Sequence, residues 1–210
     1  MAIEPPAAPH PLSPPAVRRA TAADVPALAP VLARAFLDDP IACWSIPPDR
    51  LRPRLLERTF ATRLRQALRH DEVWTVAGRE GAAIWLPPTR WRSRVRDDAE
   101  LARAVFHPRL LPRLPMVVWG MTGIERRHPP RPLHWYLAVL GTDPVAQGRG
   151  VGAALLRPVL DRCDEDGLGA YLESSKESNI AYYARFGFRV TAVARLPRGP
   201  RAWLMWRDPR

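Results

Sequence analysis

Lysine is almost missing from this sequence. Lys176 stands alone among 32 basic residues, so the formal net charge of +11 over 210 residues rests on arginine. The arginines are scattered from Arg18 to Arg210 and form no block, which argues against a nucleic-acid-binding stripe. Richness in arginine, alanine and proline is also what a GC-rich genome produces without selection for any partner. Cysteine is as sparse, with only Cys43 and Cys163. One disulfide is arithmetically open, but two distant cysteines in an ordinary chain read as free thiols in a reducing cytosol. No Cys/His cluster has zinc spacing, so no metal is expected. No apolar run approaches the roughly 18 residues that span a bilayer. The first residues, "MAIEPPAAPHPLSPP", have neither the basic start nor the apolar stretch of a secretory signal. The expectation is a cytoplasmic protein with residues 1–15 as a Pro-rich disordered tail and residues 16–210 as one domain.

What is present is a globular composition, 47% hydrophobic and 25% charged. A short strand opens "AVRRATAADVPALAPVLARAFLDDP". A helix cap follows at Thr21 or Asp24, then an apolar stripe at Val25, Leu28, Val31, Leu32, Ala35 and Phe36. Pro40 is expected to end that helix. Asp49 to His70 reads as a second amphipathic helix. "EVWTVAG" and "GAAIWLPP" read as strands joined by a turn at Gly78 to Gly81. Residues 93–128 read as irregular helix, broken at His107-Pro108, Pro112 and Pro115. "LHWYLAVLGTDP" is a buried strand, Val151 to Glu165 a helix closed by Gly167, and "GAYLESS" a strand. "ESNIAYYARFGF" is a short helix ended by Gly187, and two strands close the chain. No internal repeat is visible. The order β-α-α-β-β-α-α-β-α-β-α-β-β predicts one α/β domain with a mixed sheet.

The stretch "VAQGRGVGAALL" (Val145 to Leu156) places three glycines just before a helix. Glycines there let a phosphate approach backbone N–H groups at the positive end of the helix dipole. The dinucleotide fingerprint matches at Gly148-x-Gly150-x-x-Ala153, with Glu173 at a suitable distance, but its context fails. "GTDPVAQ" intervenes between strand and glycine, and too little chain follows for a doubly wound sheet. A nucleotide P-loop fails as well, because no Gly-Lys-Ser/Thr follows.

The pattern from Thr142 to Gly152 instead resembles the acyl-CoA-binding motif of the GNAT superfamily of N-acetyltransferases. "YLESSKESNIAYYARFGF" (Tyr171 to Phe188) is similar to that superfamily's second signature. Within the superfamily the chain resembles the puromycin N-acetyltransferases, over nearly everything after Ala16 and least at residues 90–130. The resemblance implies a single GNAT-type acyltransferase domain: a mixed, mostly antiparallel sheet, splayed at its central strands and flanked by helices. It implies acetyl-CoA as acyl donor. The backbone of Gln147, Gly148, Arg149, Gly150, Val151, Gly152 and Ala153 would hold the pyrophosphate, with Asn179 on the cofactor. Main-chain groups of Leu137, Ala138, Val139 and Leu140 would meet the pantetheine.

For catalysis, the resemblance implies Tyr183 at the family's general-acid position, with core packing as the alternative for either of the pair, and Tyr182 reads as core. A tyrosine can donate to a departing sulfur without itself being ionised. Glu173 is the expected general base, with a structural carboxylate paired to an arginine as the alternative. His134 is a reserve base. Asp38 and Asp39 would attract an ammonium substrate, and Trp44, Trp85, Trp119 and Trp203 would stack a flat ring or hold a cation. Each of these has core packing or turn chemistry as its alternative. The function expected is direct acetyl transfer to the amine of a small molecule, such as an antibiotic or aminonucleoside. Two alternatives stand beside it: an acyltransferase fed by a carrier-protein phosphopantetheine, and a nucleic-acid-binding acyl-CoA sensor. The acceptor and the oligomeric state are not fixed by these residues.

Overall fold

The computed structural model describes residues 15–47, 50–70, 72–92 and 95–210. The stretch 1–15 expected as a tail lies, except for Pro15, outside the described residues.

β1 (Val17–Arg19) leads into a turn where the Asp24 carboxylate accepts from the Thr21 amide at 2.9 Å, the N-terminal cap expected at this site. α1 (Val25–Ala35) follows, and its stripe of Val25, Leu28, Val31 and Leu32 is buried. It stops at Ala35, before Pro40. That proline does not end α1, as expected, but starts α2 (Pro40–Ser45). Asp39 caps α2 by accepting from the amides of Ile41 and Ala42, and a proline at the first helical position loses no hydrogen bond. α3 (Arg52–Ala67) runs on into a 3-10 turn at Leu68–His70. The start expected at Asp49 lies outside the described residues.

β2 (Val73–Val76) and β3 (Gly81–Leu86) form a hairpin. α4 (Val95–Val105) ends where Pro108 begins a 3-10 stretch to Arg113, and this passes into α5 (Leu114–Glu125). Pro115 lies in the first turn of α5, where no acceptor needs its missing N–H. The remaining elements are β4 (His134–Thr142), α6 (Val151–Glu165), β5 (Gly169–Ser174), α7 (Asn179–Ala184), β6 (Arg189–Arg195) and β7 (Arg201–Arg207).

The seven strands make one sheet in the order β1-β2-β3-β4-β5-β7-β6. β4 and β5 are parallel, and every other pair is antiparallel. α1 and α3 cover one face, burying Leu28, Leu32, Phe60 and Leu64 against Ile84 and Val139. α6 covers the other, burying Leu155, Leu156 and Val159 against Trp85 and Leu137. The chain is therefore the three-layer α/β domain that its pattern predicts.

Asp24 ties the first turn to the β2–β3 hairpin. It is buried and receives Arg18 at 2.8 Å and Arg79 at 2.6 Å. Those guanidiniums, Arg18 first, hold its carboxyl far below the usual carboxylate range. A depressed folded-state pKa stabilises the fold fully above the unfolded value near 4, and this is lost progressively as pH falls below it. Asp24→Asn should cost about 2 kcal/mol at pH 7. The gap to wild type in urea melts should narrow at pH 2.5; an equal gap at both values would refute the assignment.

Candidate active site

The site begins with a fork in the sheet. β4 and β5 pair from His134 opposite Gly169 to Leu137 opposite Leu172, and no further. Beyond that point Glu173 and Ser174 pair only with β7, while Val139 to Thr142 pair only with β3. The cause is a bulge. Ile84 faces Val139 and Trp85 faces Leu137, so Ala138 has no partner on β3. An extra residue bends its strand and flips the side-chain phase. Leu137 accordingly packs on the α6 side, and Ala138 and Val139 both pack on the α1–α3 side. Ala138, Val139 and Leu140 thus border the open side of the fork, and Leu137 is its last paired residue.

One wall of the fork is the glycine loop. Asp143 caps the 3-10 turn at Pro144–Ala146 and is held by Arg34 Nε at 3.1 Å. Gln147 returns its side-chain amide to the Thr142 carbonyl at 3.3 Å. Gly148 (φ +78°) and Gly150 (φ +80°) both take left-handed backbone, which favours glycine, and a Cβ on either would meet nothing within 4 Å. The first backbone bond into the helix runs from Ala154 N to Gly150 O. Among the described residues, the amides of Val151, Gly152 and Ala153 therefore have no protein acceptor, as the first turn of a helix requires. Gly152 has a different reason for being glycine: a Cβ there would lie 2.6 Å from the Tyr182 hydroxyl, itself buried without a partner. Left-handed glycines, three free amides at the positive end of a 15-residue helix and exposed Arg149 fit an anion such as a pyrophosphate.

Beside this wall, α7 carries Asn179 at its start and buried Tyr183 near its end. Tyr183 packs edge-on to Phe188 with ring centres 5.9 Å apart, and burial pushes its hydroxyl well above the ordinary tyrosine value. It is protonated throughout the working range.

Glu173 stands on the opposite prong, 12% exposed. Burial first, and then the Glu173 carboxylate, push the Tyr136 and Tyr171 hydroxyls upward. Behind it lies a buried histidine pair. His134 Nδ1 is 2.7 Å from the Pro132 carbonyl, and the two Nε2 atoms of His128 and His134 are 2.9 Å apart. A carbonyl only accepts, so His134 Nδ1 carries its proton. Burial, with His128 alongside, lowers the pKa of His134 and keeps it neutral, so its Nε2 accepts from His128. His128 Nδ1 lies 3.7 Å from Glu173 Oε1. Trp91 stacks on the His128 ring at 3.9 Å and fixes its plane. His134 is therefore not at the cleft surface but one residue behind it. His128 had no signal in the sequence, where it falls at the end of the stretch read as irregular helix.

The aromatic acceptor site expected from the tryptophans is not assembled. Trp44 is buried, donates from Nε1 to the Pro197 carbonyl at 3.1 Å, and fills the space left by Gly120 and Gly199. Trp85 is fully buried on the α6 face, Trp203 packs against the same core, and Trp119 is 69% exposed on α5. Asp39 does line the cleft, but it caps α2 and also accepts from the Ser175 hydroxyl. Asp38, exposed, is paired with Lys176 at 2.8 Å, which lowers its pKa. The two aspartates thus clamp the α1–α2 corner to the loop after β5. The cleft itself, about 460 Å³, has walls of Phe36, Phe60, Leu110, Leu114, Val117 and Met121, and reaches Glu173.

Residues 88–188, which hold the fork, the glycine loop and α7, match the acetyltransferase (GNAT) family. An uncharacterised N-acetyltransferase of Schizosaccharomyces pombe is 28% identical over 82% of this chain and 74% of its own length. The solved structure of the histone acetyltransferase HPA2 and related acetyltransferase from Corynebacterium glutamicum superposes with a TM-score of 0.67. It shares 25% identity and covers 94% of this chain and 97% of its own. The chain has the GNAT fold and is an acyltransferase. The PaiA N-acetyltransferase of Thermoplasma acidophilum, solved in complex with coenzyme A, shares the fold at a TM-score of 0.57 and 10% identity, covering 91% of this acyltransferase and 97% of its own chain. No helix of the acyltransferase among the described residues is long and apolar enough to cross a membrane, and no group of His, Cys, Asp and Glu among them could hold a metal ion.

Proposed function

We propose that this acyltransferase moves the acetyl group of acetyl-CoA directly to the amine of a small molecule, an antibiotic or aminonucleoside of the kind puromycin represents. The observation that carries the reading is the fork. One prong ends in unpartnered amides suited to a pyrophosphate, the other carries Glu173, and the apolar cleft opens between them.

The residues that would hold acetyl-CoA are Gln147 to Ala153 and Asn179, with the unpaired β4 edge at Ala138 to Leu140 for the pantetheine. When bound, it supplies the activated thioester. The chain's own residues do the rest. Glu173 Oε1 takes the proton of the attacking nitrogen. His128 Nδ1 faces the same oxygen at 3.7 Å and is a positioning residue. Tyr183 Oη holds the proton that a departing thiolate needs. Direct transfer is supported by the cysteines. Cys163 is fully buried with its thiol pushed up to about 12, and Cys43 rests on α2 against the Leu37 carbonyl. A buried neutral thiol is a poor nucleophile.

The test is thiol release from acetyl-CoA across a panel of amines that includes puromycin, with product mass. Gain of one acetyl group on an amine supports the reading, and acetyl-CoA binding without transfer to any amine sinks it. Tyr183→Phe should lower kcat about tenfold to a hundredfold and leave acetyl-CoA affinity within about twofold. Equal loss of both would make Tyr183 a binding residue.

A further inference from the structure

The cleft that ends at Glu173 is greasy along its length and charged at one end. Its walls come from α1 to α5, the 3-10 stretch and β4, and they are mainly aliphatic or phenylalanine, with Thr59, His107 and Tyr136 among them. Among the described residues, three side chains of fixed charge line it: Asp39, Arg63 and Glu173. The Asp39 oxygens are occupied by two amides of α2 and the Ser175 hydroxyl. Arg63 repels a cation. Among the described residues, Glu173 is the one lining carboxylate left to meet an ammonium group. The whole chain also carries +11, a field that opposes the approach of any polycation.

We propose that the acceptor is a monoamine with an apolar body, and that polyamines, aminoglycoside-like polycations and lysine-rich peptides are rejected. The proposal rests on the acetyl-transfer reading above for its chemistry, but not for its binding. A second ammonium group would leave water for an apolar wall with no partner, which costs far more than its methylenes return. Each methylene placed against the wall instead raises affinity about fourfold, the equivalent of about 0.8 kcal/mol.

The experiment has two arms on the full chain. In the first, n-propylamine to n-octylamine and spermidine are titrated calorimetrically into the protein without acetyl-CoA. Affinity should climb with chain length until the cleft is full, and spermidine should bind at least a hundredfold more weakly than octylamine. In the second, kcat/KM with acetyl-CoA should follow the same ranking. Leu114→Glu, at a half-exposed position on α5, should weaken octylamine about tenfold and strengthen spermidine. Met121→Glu, also exposed, serves if the first variant does not fold. A flat alkyl series, or spermidine binding as tightly as octylamine, overturns the proposal. The expected ranking in the first arm with no turnover in the second keeps the acceptor class and sinks acetyl transfer.

Discussion

Glu173→Gln is expected to lower kcat by a factor of about 10² to 10⁴, the usual contribution of a positioned base, while acetyl-CoA affinity stays within about twofold. The expectation follows from where the carboxylate sits. Glu173 is the first residue of β5 beyond the parallel ladder, so its backbone is held by β7 alone and its side chain enters the fork. It is nearly buried, flanked by two tyrosines and backed by His128 Nδ1 at 3.7 Å. Glutamine keeps the shape and cannot take a proton. His128→Gln should cost less, about tenfold, because it removes a neighbour of the base and not the base. The double variant should be no slower than Glu173→Gln alone, since residues acting as a unit are not additive. A rise in KM at unchanged kcat for Glu173→Gln would show that it only holds the ammonium group. Additive losses would separate His128 from Glu173.

Gly150→Val should raise the acetyl-CoA dissociation constant about tenfold to a hundredfold and leave kcat at saturation little changed. Gly150 sits just ahead of α6 with φ +80° and ψ 0°. A left-handed conformation costs an L residue roughly 1–2 kcal/mol, and a branched side chain would stand where the free amides of Val151 to Ala153 face outward. The strain alone should lower the melting temperature by a few degrees, on the scale of about 2–4 °C per kcal/mol for a chain of this size. Gly152→Ala is the control. Its Cβ would meet the Tyr182 hydroxyl at 2.6 Å, so its cost should fall mainly on folding. Calorimetric binding and melting curves on both variants check the pair. Equal loss of acetyl-CoA affinity in both would mean that the loop acts only as a helix start.

Local pattern carries far along this chain, and contact between distant elements does not. α6 was legible from Val151 to Glu165 because left-handed Gly150 and Gly167 bracket an apolar stripe. The central strands β3, β4 and β5 were legible because their apolar residues are contiguous. Pro40 misled because a proline that stops one helix is equally suited to start another, and the choice depends on Asp39 having two amides to cap. The tryptophans misled for a related reason. Large aromatic area suits a binding wall and a core alike, and only the glycines at 120 and 199, far away in sequence, show that Trp44 fills a core space. His128 could not be found at all: its neighbours in the chain are arginines and prolines, and its burial comes from Trp91 and Tyr171. The fork came into view through family resemblance, since "WYLAVLG" shows no sign that Ala138 lacks a partner.

That unpartnered alanine has a genetic reading. The difference between a strand that zips fully against β5 and one that parts from it after Leu137 is one residue in the register with β3. Removing a single codon at position 138 would leave Leu137 opposite Trp85 and Val139 opposite Ile84 in plain alternation, with Val139 still toward α1 and α3 and the bulge gone. The bend that the extra residue gives β4 where it parts from β5 would be lost with it. Insertions and deletions of three bases in this stretch therefore weigh more than most substitutions, and the reading frame can be intact while the bend is gone.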